Sequence, residues 1–291
     1  MASSPLNQKS NFHARSNSLP SRPNPFIPQI DEHLCRLKSN EAASSSSSSI
    51  GEKLSGLRDL YELVDSLLQL PLAKKSLAQQ YNDKQINELL NGSLRLLDVC
   101  GVAKDALLQA KEDTQELQSI LRRRRGDDAG FTNEAKEYLA SRRKAKKLIN
   151  KSSRDLKSKC NLENDVEATF SMLREVEGVT LTVFESLLSY ISGTKMQPKP
   201  TNWSLVSKLM HSKRVTCEGE ATETNEFERV DAVLCTLVGH KTRKSSNTST
   251  ENAQIELQKL ESSIQDLEDG VECVLRLLIK TRVSVLNILS H

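Results

Sequence analysis

Apolar residues recur every three or four positions along most of the chain, with polar residues between them. In the first strong segment the apolar positions are Ile50, Leu54, Leu57, Tyr61, Val64 and Leu68. Residues at this spacing lie on one side of an α-helix, because the helix turns once every 3.6 residues. The pattern therefore predicts an amphipathic helix that begins at Ser49 and is stopped by Pro71.

The same spacing predicts helices along the rest of the chain. They cover residues 83–124, 133–159, 164–192, 203–210, 223–238 and 252–289, and a short helix carries Ile30, Leu34 and Leu37. Among the predicted buried positions are the seam of helix 133–159, Phe170 in helix 164–192 and the stripe of helix 252–289. The seam comprises Ala135, Leu139, Ala145, Ile149, Ser152 and Leu156, and the stripe comprises Ile255, Leu260, Ile264, Leu267, Val271, Val274, Leu278 and Leu286. Ser49 and Glu52 have the spacing of a capping box, and Thr132 is a candidate N-cap. Gly193 is a natural C-terminal stop, and the polar run 241–250 predicts a loop.

These elements predict an all-α fold, an elongated bundle of long amphipathic helices behind a disordered N-terminal tail. Residues 1–28 hold five of the eight prolines, many serines and no acidic residue, so they are predicted to be the disordered tail. Residues 29–49 are predicted to form the short helix and a serine linker, and residues 50–291 the bundle domain. Aromatic residues are only 4% of the chain, which favours aliphatic helix seams over a β-sandwich.

The six cysteines are scattered and form no C-x-x-C pair, and no apolar stretch is long enough to span a membrane. This pattern predicts free thiols and an intracellular protein. The cytoplasm is the expected compartment, with the nucleus and the membrane periphery as alternatives.

No set of residues in the sequence has the spacing of a catalytic or metal-binding motif. The five histidines lie apart, and Glu32, His33 and Cys35 are better explained as an exposed turn of the short helix than as zinc ligands. We therefore expect a non-enzymatic protein with no catalytic residue, no metal and no cofactor.

Positive charge is concentrated in residues 122–159, which hold 14 Lys and Arg against 5 Asp and Glu. The candidate basic surface consists of Arg122, Arg123, Arg124, Arg125, Arg143, Lys147, Lys151 and Arg154. A solvated helix face explains these residues, as does contact with anionic lipid or an acidic partner. The runs 122–125 and 142–147 also resemble a split nuclear-import signal. Nucleic acid is a less favoured partner because no aromatic residues alternate with the cations.

The N-terminal tail contains a candidate phosphorylation site. Arg15 lies three residues before Ser18, a spacing that suits a basophilic kinase, and Pro20 follows. Together with Ser16 these residues match the pattern read by phosphoserine adaptors of the 14-3-3 type.

Several blocks of the sequence resemble a plant-specific family. They are FHARSNSLPSR at 12–22, LRRRRG at 121–126, YLASR at 138–142, WSLVSKLM at 203–210 and the stretch 279–289. The family, long labelled a domain of unknown function, is that of the BYPASS-like proteins. The resemblance implies a land-plant source and a role in root and shoot development, and it supplies no catalytic residues.

The sequence thus predicts a helical interaction or scaffold protein with protein partners, among them a phosphoserine-reading adaptor. Two alternatives remain open. One is a peripheral membrane protein that docks on anionic lipid through the basic helix 133–159. The other is a nuclear regulator.

Overall fold

The structure is a computed structural model that describes residues 26–39, 46–79, 83–123, 128–157, 168–193, 224–239 and 246–290. Within these ranges every regular element is an α-helix, which confirms the predicted fold class. The helices are α1 (Phe26–Ser39), α2 (Ser47–Gln69), α3 (Pro71–Gln79), α4 (Asp83–Arg123), α5 (Asp128–Lys157), α6 (Ala168–Ser192), α7 (Glu226–Gly239) and α8 (Ser246–Leu289).

The two longest helices, α4 and α8, set the length of the bundle. They have 41 and 44 residues, which correspond to about 60 and 66 Å at 1.5 Å per residue. They run antiparallel. Lys104 of α4 pairs with Glu272 of α8, whereas Lys111, which lies two turns later in α4, pairs with Glu268, which lies one turn earlier in α8. Helix α2 packs along α8 as well. The elongated shape follows from these long shared seams.

Helix α6 lies inside the bundle and packs against α1, α2, α4, α5 and α7. One continuous apolar core includes residues from Ile30 in α1 to Ile288 in α8. Residues of the predicted stripes are buried: Leu57, Phe170 and Leu267 are each at most 1% exposed, and Leu57 and Leu267 belong to this core. Burial of aliphatic side chains between helices is therefore the main stabilising contribution.

Helix α1 belongs to the same packed unit as the rest of the bundle. Its Ile30, Leu34 and Leu37 are buried against α2 and α6, as their spacing predicts. Because α1 begins at Phe26 and α2 at Ser47, residues 26–28 and 47–49 are helical rather than tail and linker. Residues 1–25 and 40–45, which complete the predicted tail and linker, lie outside the described residues.

Three predicted helix starts lie too late in the sequence. Helix α2 is capped by Ser46, whose hydroxyl accepts a hydrogen bond from the Ser49 amide at 3.3 Å, so the predicted cap at Ser49 is wrong. Every serine in the run before Ile50 can cap a helix, and local spacing does not choose among them. Helix α5 begins before Thr132, and α8 begins inside the predicted loop 241–250.

The predicted helix ends agree better with the structure. Helix α2 stops before Pro71, which becomes the first residue of α3. Gly193 follows the end of α6 with a φ of +64°, a conformation that L side chains rarely adopt, so its role as a stop is confirmed. The predicted helix 203–210 lies outside the described residues.

The stripe on α8 differs in two positions from the predicted one. Ile255 and Leu286 are 50% and 39% exposed, whereas their neighbours Leu257 and Val285 are buried. Leu257 lies three residues before Leu260, which keeps it on the buried side, whereas Ile255 lies five residues before it. The period was correct, but the choice between nearby apolar residues depends on the partner helices.

Candidate functional site on helix α5

Helix α5 forms a hairpin with α4 and packs on α6 and α7, so one side of it faces the bundle and the other faces solvent. The inner side carries the seam residues Ala135, Tyr138, Leu139 and Ile149, all buried. The predicted seam positions Ala135, Leu139 and Ile149 are thereby confirmed. The orientation that this seam imposes decides what each cation of α5 can contact.

Arg142 lies on the inner side and is 2% exposed. Its guanidinium group stacks over the ring of Phe227 in α7, 4.3 Å from the ring centroid. Its Nε donates to Oδ1 of Asp231 at 3.4 Å. Phe227 is held in turn by an edge-on contact with Tyr190 of α6. Arg142 therefore joins α5 to α7 as part of the core.

Lys146 lies one turn after Arg142 and shares its acidic partner. The Lys146 Nζ donates to Oδ2 of Asp231 at 3.1 Å. It also lies beside Gly193 at the C-terminal end of α6, where the helix dipole favours a cation. Two of the five cations in the run 142–147 are thus paired with Asp231 on the inner side of α5, Arg142 fully buried and Lys146 partly exposed.

This arrangement bears on the resemblance of the run 142–147 to half of a split nuclear-import signal. Arg142 and Lys146 point inward, so the run 142–147, the second part of the split signal, does not form a continuous basic surface. A sequence signal did exist, because Arg142 lies four residues after Tyr138 and seven before Ile149, on the period of the seam. Arg142 is not among the residues of the candidate basic surface, and only its charge included it in the run 142–147.

The phenol of Tyr138 shares this buried side of α5. Burial raises the pKa of Tyr138 well above its ordinary value, although the neighbouring Arg142 acts in the opposite direction. The phenol therefore stays neutral at physiological pH. Within the described residues, neither the Tyr138 hydroxyl nor the Nη2 of Arg142 has a hydrogen-bond partner.

The outer side of α5 carries the remaining cations, and we call it the cationic face. Its exposed basic residues are Lys136, Arg143, Lys144, Lys147 and Lys151. None of the five forms an ion pair within the described part of the chain. Glu137 is the one acidic residue among the exposed side chains described on α5. Arg143, Lys147 and Lys151, which belong to the candidate basic surface, are exposed on this face.

An apolar residue lies at the edge of the cationic face. Leu148 is 67% exposed, and it follows Lys144 by four residues and precedes Lys151 by three. Residues at these spacings are neighbours on a helix surface. The outer side of α5 therefore combines positive charge with one large exposed aliphatic side chain.

Arg122 and Arg123 occupy the last turn of α4 and are exposed. Arg122 donates to the Gln118 side chain at 2.9 Å, and the Nε of Arg123 donates to the Ser119 carbonyl at 3.3 Å. Cations at a helix C-terminus interact favourably with the dipole, so these two residues have a structural role.

The other predicted site residues cannot be placed. Arg124, Arg125 and the side chain of Arg154 lie outside the described residues, as do the tail residues Arg15, Ser16, Ser18 and Pro20.

Other candidate chemistry among the described residues is sparse. The described residues hold no group of three or more His, Cys, Asp or Glu side chains that could bind a metal ion. A cavity of about 50 Å³ lies between α2, α4, α6 and α8, with room for a few water molecules. Burial raises the pKa of the Cys100 thiol to about 12, so this cysteine is unreactive at physiological pH.

No helix in the described residues has an apolar stretch that is long enough to cross a membrane. No curated protein and no solved structure matches the chain. A family model described as "Protein BPS1" matches residues 53–288, a range that begins in α2 and includes all of α5. The chain therefore belongs to the BPS1 family, the BYPASS-like proteins that its sequence resembles.

Proposed function

We propose that this BPS1-family member is a non-enzymatic interaction protein that binds an anionic partner through the cationic face of α5. The observation that carries the proposal is the exposure of five cations without an ion-pair partner in the described chain. Several cations in other parts of the bundle have carboxylate partners, such as Glu272 for Lys104 and Glu268 for Lys111. The exposed Lys74 and Lys75 on α3 also form no ion pair in the described chain, but they are two residues rather than a row of five. The cationic face is a surface whose charge is left for an external partner.

Helix energetics supports the same conclusion. Arg143, Lys147 and Lys151 follow one another at intervals of four residues, so each is a surface neighbour of the next. Like charges at this spacing destabilise a helix by about 0.2–0.5 kcal/mol per pair. The arrangement is therefore unfavourable for the free protein and becomes favourable when an anion screens the charges.

The inner side of α5 provides a fixed base for this surface. Arg142 and Lys146 bind Asp231 of α7, and Tyr138 is buried in the core. The backbone that presents the outer lysines is thus anchored to α4, α6 and α7. A rigid helix loses little conformational entropy on binding, which favours its use as a docking surface.

The proposal is tested by retention on a heparin column as the salt concentration rises. The variant carries Lys147→Glu and Lys151→Glu, and the control carries Lys74→Glu and Lys75→Glu on α3, which are also exposed lysines. Both variants change the net charge equally. We expect the α5 variant to elute at much lower salt than the control. Equal elution of the two variants would contradict the proposal.

The proposal has two more specific parts, a role in plant development and binding of a phosphoserine adaptor to the N-terminal tail. A scaffold role in root and shoot development is part of the proposal, and it rests on the resemblance of the sequence to the BYPASS-like proteins. A phosphoserine adaptor that reads Ser18 would connect this scaffold to kinase signalling. Pull-downs with the wild type and with Ser18→Ala test the adaptor, and the same set of partners in both would exclude it.

A further inference from the structure

We infer that the anionic partner of the cationic face is a lipid bilayer that carries anionic headgroups. This inference rests on the proposed function and makes it more specific, because it names the surface that the cations contact. Three features of α5 favour a bilayer over an acidic protein or a nucleic acid. They are the exposed leucine, the predominance of lysine, and the alignment of the charges in one row.

Leu148 is the first feature. At 67% exposure it lies between Lys144 and Lys151 on the helix surface, at the border of the cationic face. Helices that bind membrane interfaces combine basic residues with leucine or aromatic side chains that enter the acyl boundary. The long lysine stems can extend along that boundary while their ammonium groups stay among the headgroups.

The identity of the cations is the second feature. Four of the five exposed basic residues on the cationic face are lysines. Arginine is the usual choice for bidentate recognition of a carboxylate or a phosphoryl group on a folded partner. Lysine is a compact, hydrated point charge, which suits attraction to a fluid array of headgroups with no fixed geometry.

The alignment of the charges is the third feature. Lys136, Arg143, Lys147 and Lys151 are separated by seven, four and four residues, so they form one row along the helix. The row from Lys136 to Lys151 is about 22 Å long at 1.5 Å per residue. All of its members can contact a flat surface at the same time.

A nucleic acid fits this surface less well. Tyr138 is the aromatic residue among the described side chains of α5, and it is buried on the inner side. Among the described side chains of α5, the outer side thus offers phosphate contacts and no ring on which a base could stack. Single-stranded nucleic acid binding relies on such stacking in addition to charge.

The test uses the full chain and sedimentation of vesicles made from phosphatidylcholine alone or mixed with phosphatidylserine. We expect binding only to the phosphatidylserine vesicles, and we expect it to weaken as salt rises. Each lysine near an anionic surface contributes about fivefold to the partition coefficient. Lys147→Glu with Lys151→Glu should therefore lower the partition coefficient by at least about 30-fold, while the α3 control variant should lower it much less.

The exposed leucine separates a bilayer from other polyanions. Leu148→Ser should weaken binding to phosphatidylserine vesicles by about tenfold, since it removes an inserting apolar side chain, and it should leave heparin retention unchanged. The matched control is Leu72→Ser on α3, where the leucine is 80% exposed, and it should change neither readout. Thermal unfolding of each variant verifies that the fold is intact.

The possible outcomes distinguish failure of the bilayer inference from failure of the proposed function. Heparin retention without binding to phosphatidylserine vesicles overturns the bilayer inference and leaves the proposed function standing. Absence of binding to both probes overturns both proposals. Vesicle binding that survives the two α5 substitutions also overturns the inference, because it places the contact on another surface.

Discussion

Arg142 and Arg143 are neighbours in the sequence, but they lie in opposite environments on α5. Arg142 is buried against Phe227 and hydrogen-bonded to Asp231, whereas Arg143 is exposed and has no ion-pair partner in the described chain. Lys146 and Lys147 repeat the contrast one turn later. The same residue type thus stabilises the bundle on one side of the helix and remains available for a partner on the other.

This comparison shows that a basic run should be divided by helix side before it is interpreted. A turn of 100° per residue places consecutive residues on different sides. The total charge of a run therefore overstates the binding surface, and the outward subset defines it. The first two substitutions below use the neighbouring pairs as matched controls, and the predictions run from the largest expected effect to the smallest.

The largest effect is expected for Arg142→Ala. The substitution removes the contact with Phe227 and one of the two cations that neutralise Asp231, and it leaves a cavity between α5 and α7. Loss of one partner from a buried ion pair costs about 3 kcal/mol of unfolding free energy. Urea denaturation measures the change. Arg143→Ala is the control, expected within about 0.5 kcal/mol of the wild type. Similar losses for both would remove the distinction between the two sides.

A smaller effect is expected for Lys146→Ala. Lys146 is partly exposed and pairs with Asp231, so its removal should cost about 1 kcal/mol of unfolding free energy. The same denaturation experiment on Lys147→Ala should give no loss. A greater loss at Lys147 than at Lys146 would reverse the assignment of sides.

Lys104 and Glu272 form an ion pair on the surface where α4 meets α8. This pair serves as a reference for the cations of the cationic face, which have no ion-pair partner in the described chain. The hydrogen bond and charge of Lys104 hold the pKa of Glu272 below its ordinary value, and Arg276 adds to this. A carboxyl group with a lowered folded-state pKa stabilises the fold above its unfolded-state pKa, and this contribution is lost as the pH falls through the folded-state pKa. An NMR titration should show the Glu272 midpoint rise in Lys104→Ala. An unchanged midpoint would mean that the seam cations are no better paired than the outer ones.

The smallest effect should have the opposite sign. Combining Arg143→Gln, Lys147→Gln and Lys151→Gln removes two like-charge contacts at spacing four, so the unfolding free energy should rise by up to about 1 kcal/mol at low salt. The gain should disappear at high salt, because salt screens the repulsion. A loss of stability in this variant would show that the outer cations have partners within the protein.

The helices themselves were largely predictable from the sequence. The predicted helix 83–124 agrees with α4, Asp83–Arg123, because a long repeat of apolar positions leaves few alternatives. The start of α8 was not predictable in this way. Residues 246–250 are all polar, so they carry no stripe, and they join a helix whose stability comes from later residues.

The candidate site was only half predictable. Spacing was sufficient to place Lys147 and Lys151 on an outer face, since it identified Ala135, Leu139 and Ile149 as the seam. Burial of Arg142 depends on Phe227 and Asp231, which reach it from another helix. Such long-range pairing leaves no trace in local composition, and a buried arginine is rare enough that charge favours the opposite assignment.

The central claim is that the inner cations of α5 are paired within the bundle and that the outer ones contact a membrane. The most direct test is acetylation of lysines followed by mass spectrometry, with and without phosphatidylserine vesicles. In the free protein we expect fast modification of Lys136, Lys144, Lys147 and Lys151, and slow modification of Lys146, whose ammonium group is bound to Asp231. Vesicles should protect the four outer lysines and leave Lys74 and Lys75 unprotected. Equal reactivity of Lys146 and Lys147, or equal protection of α3 and α5, would contradict the account.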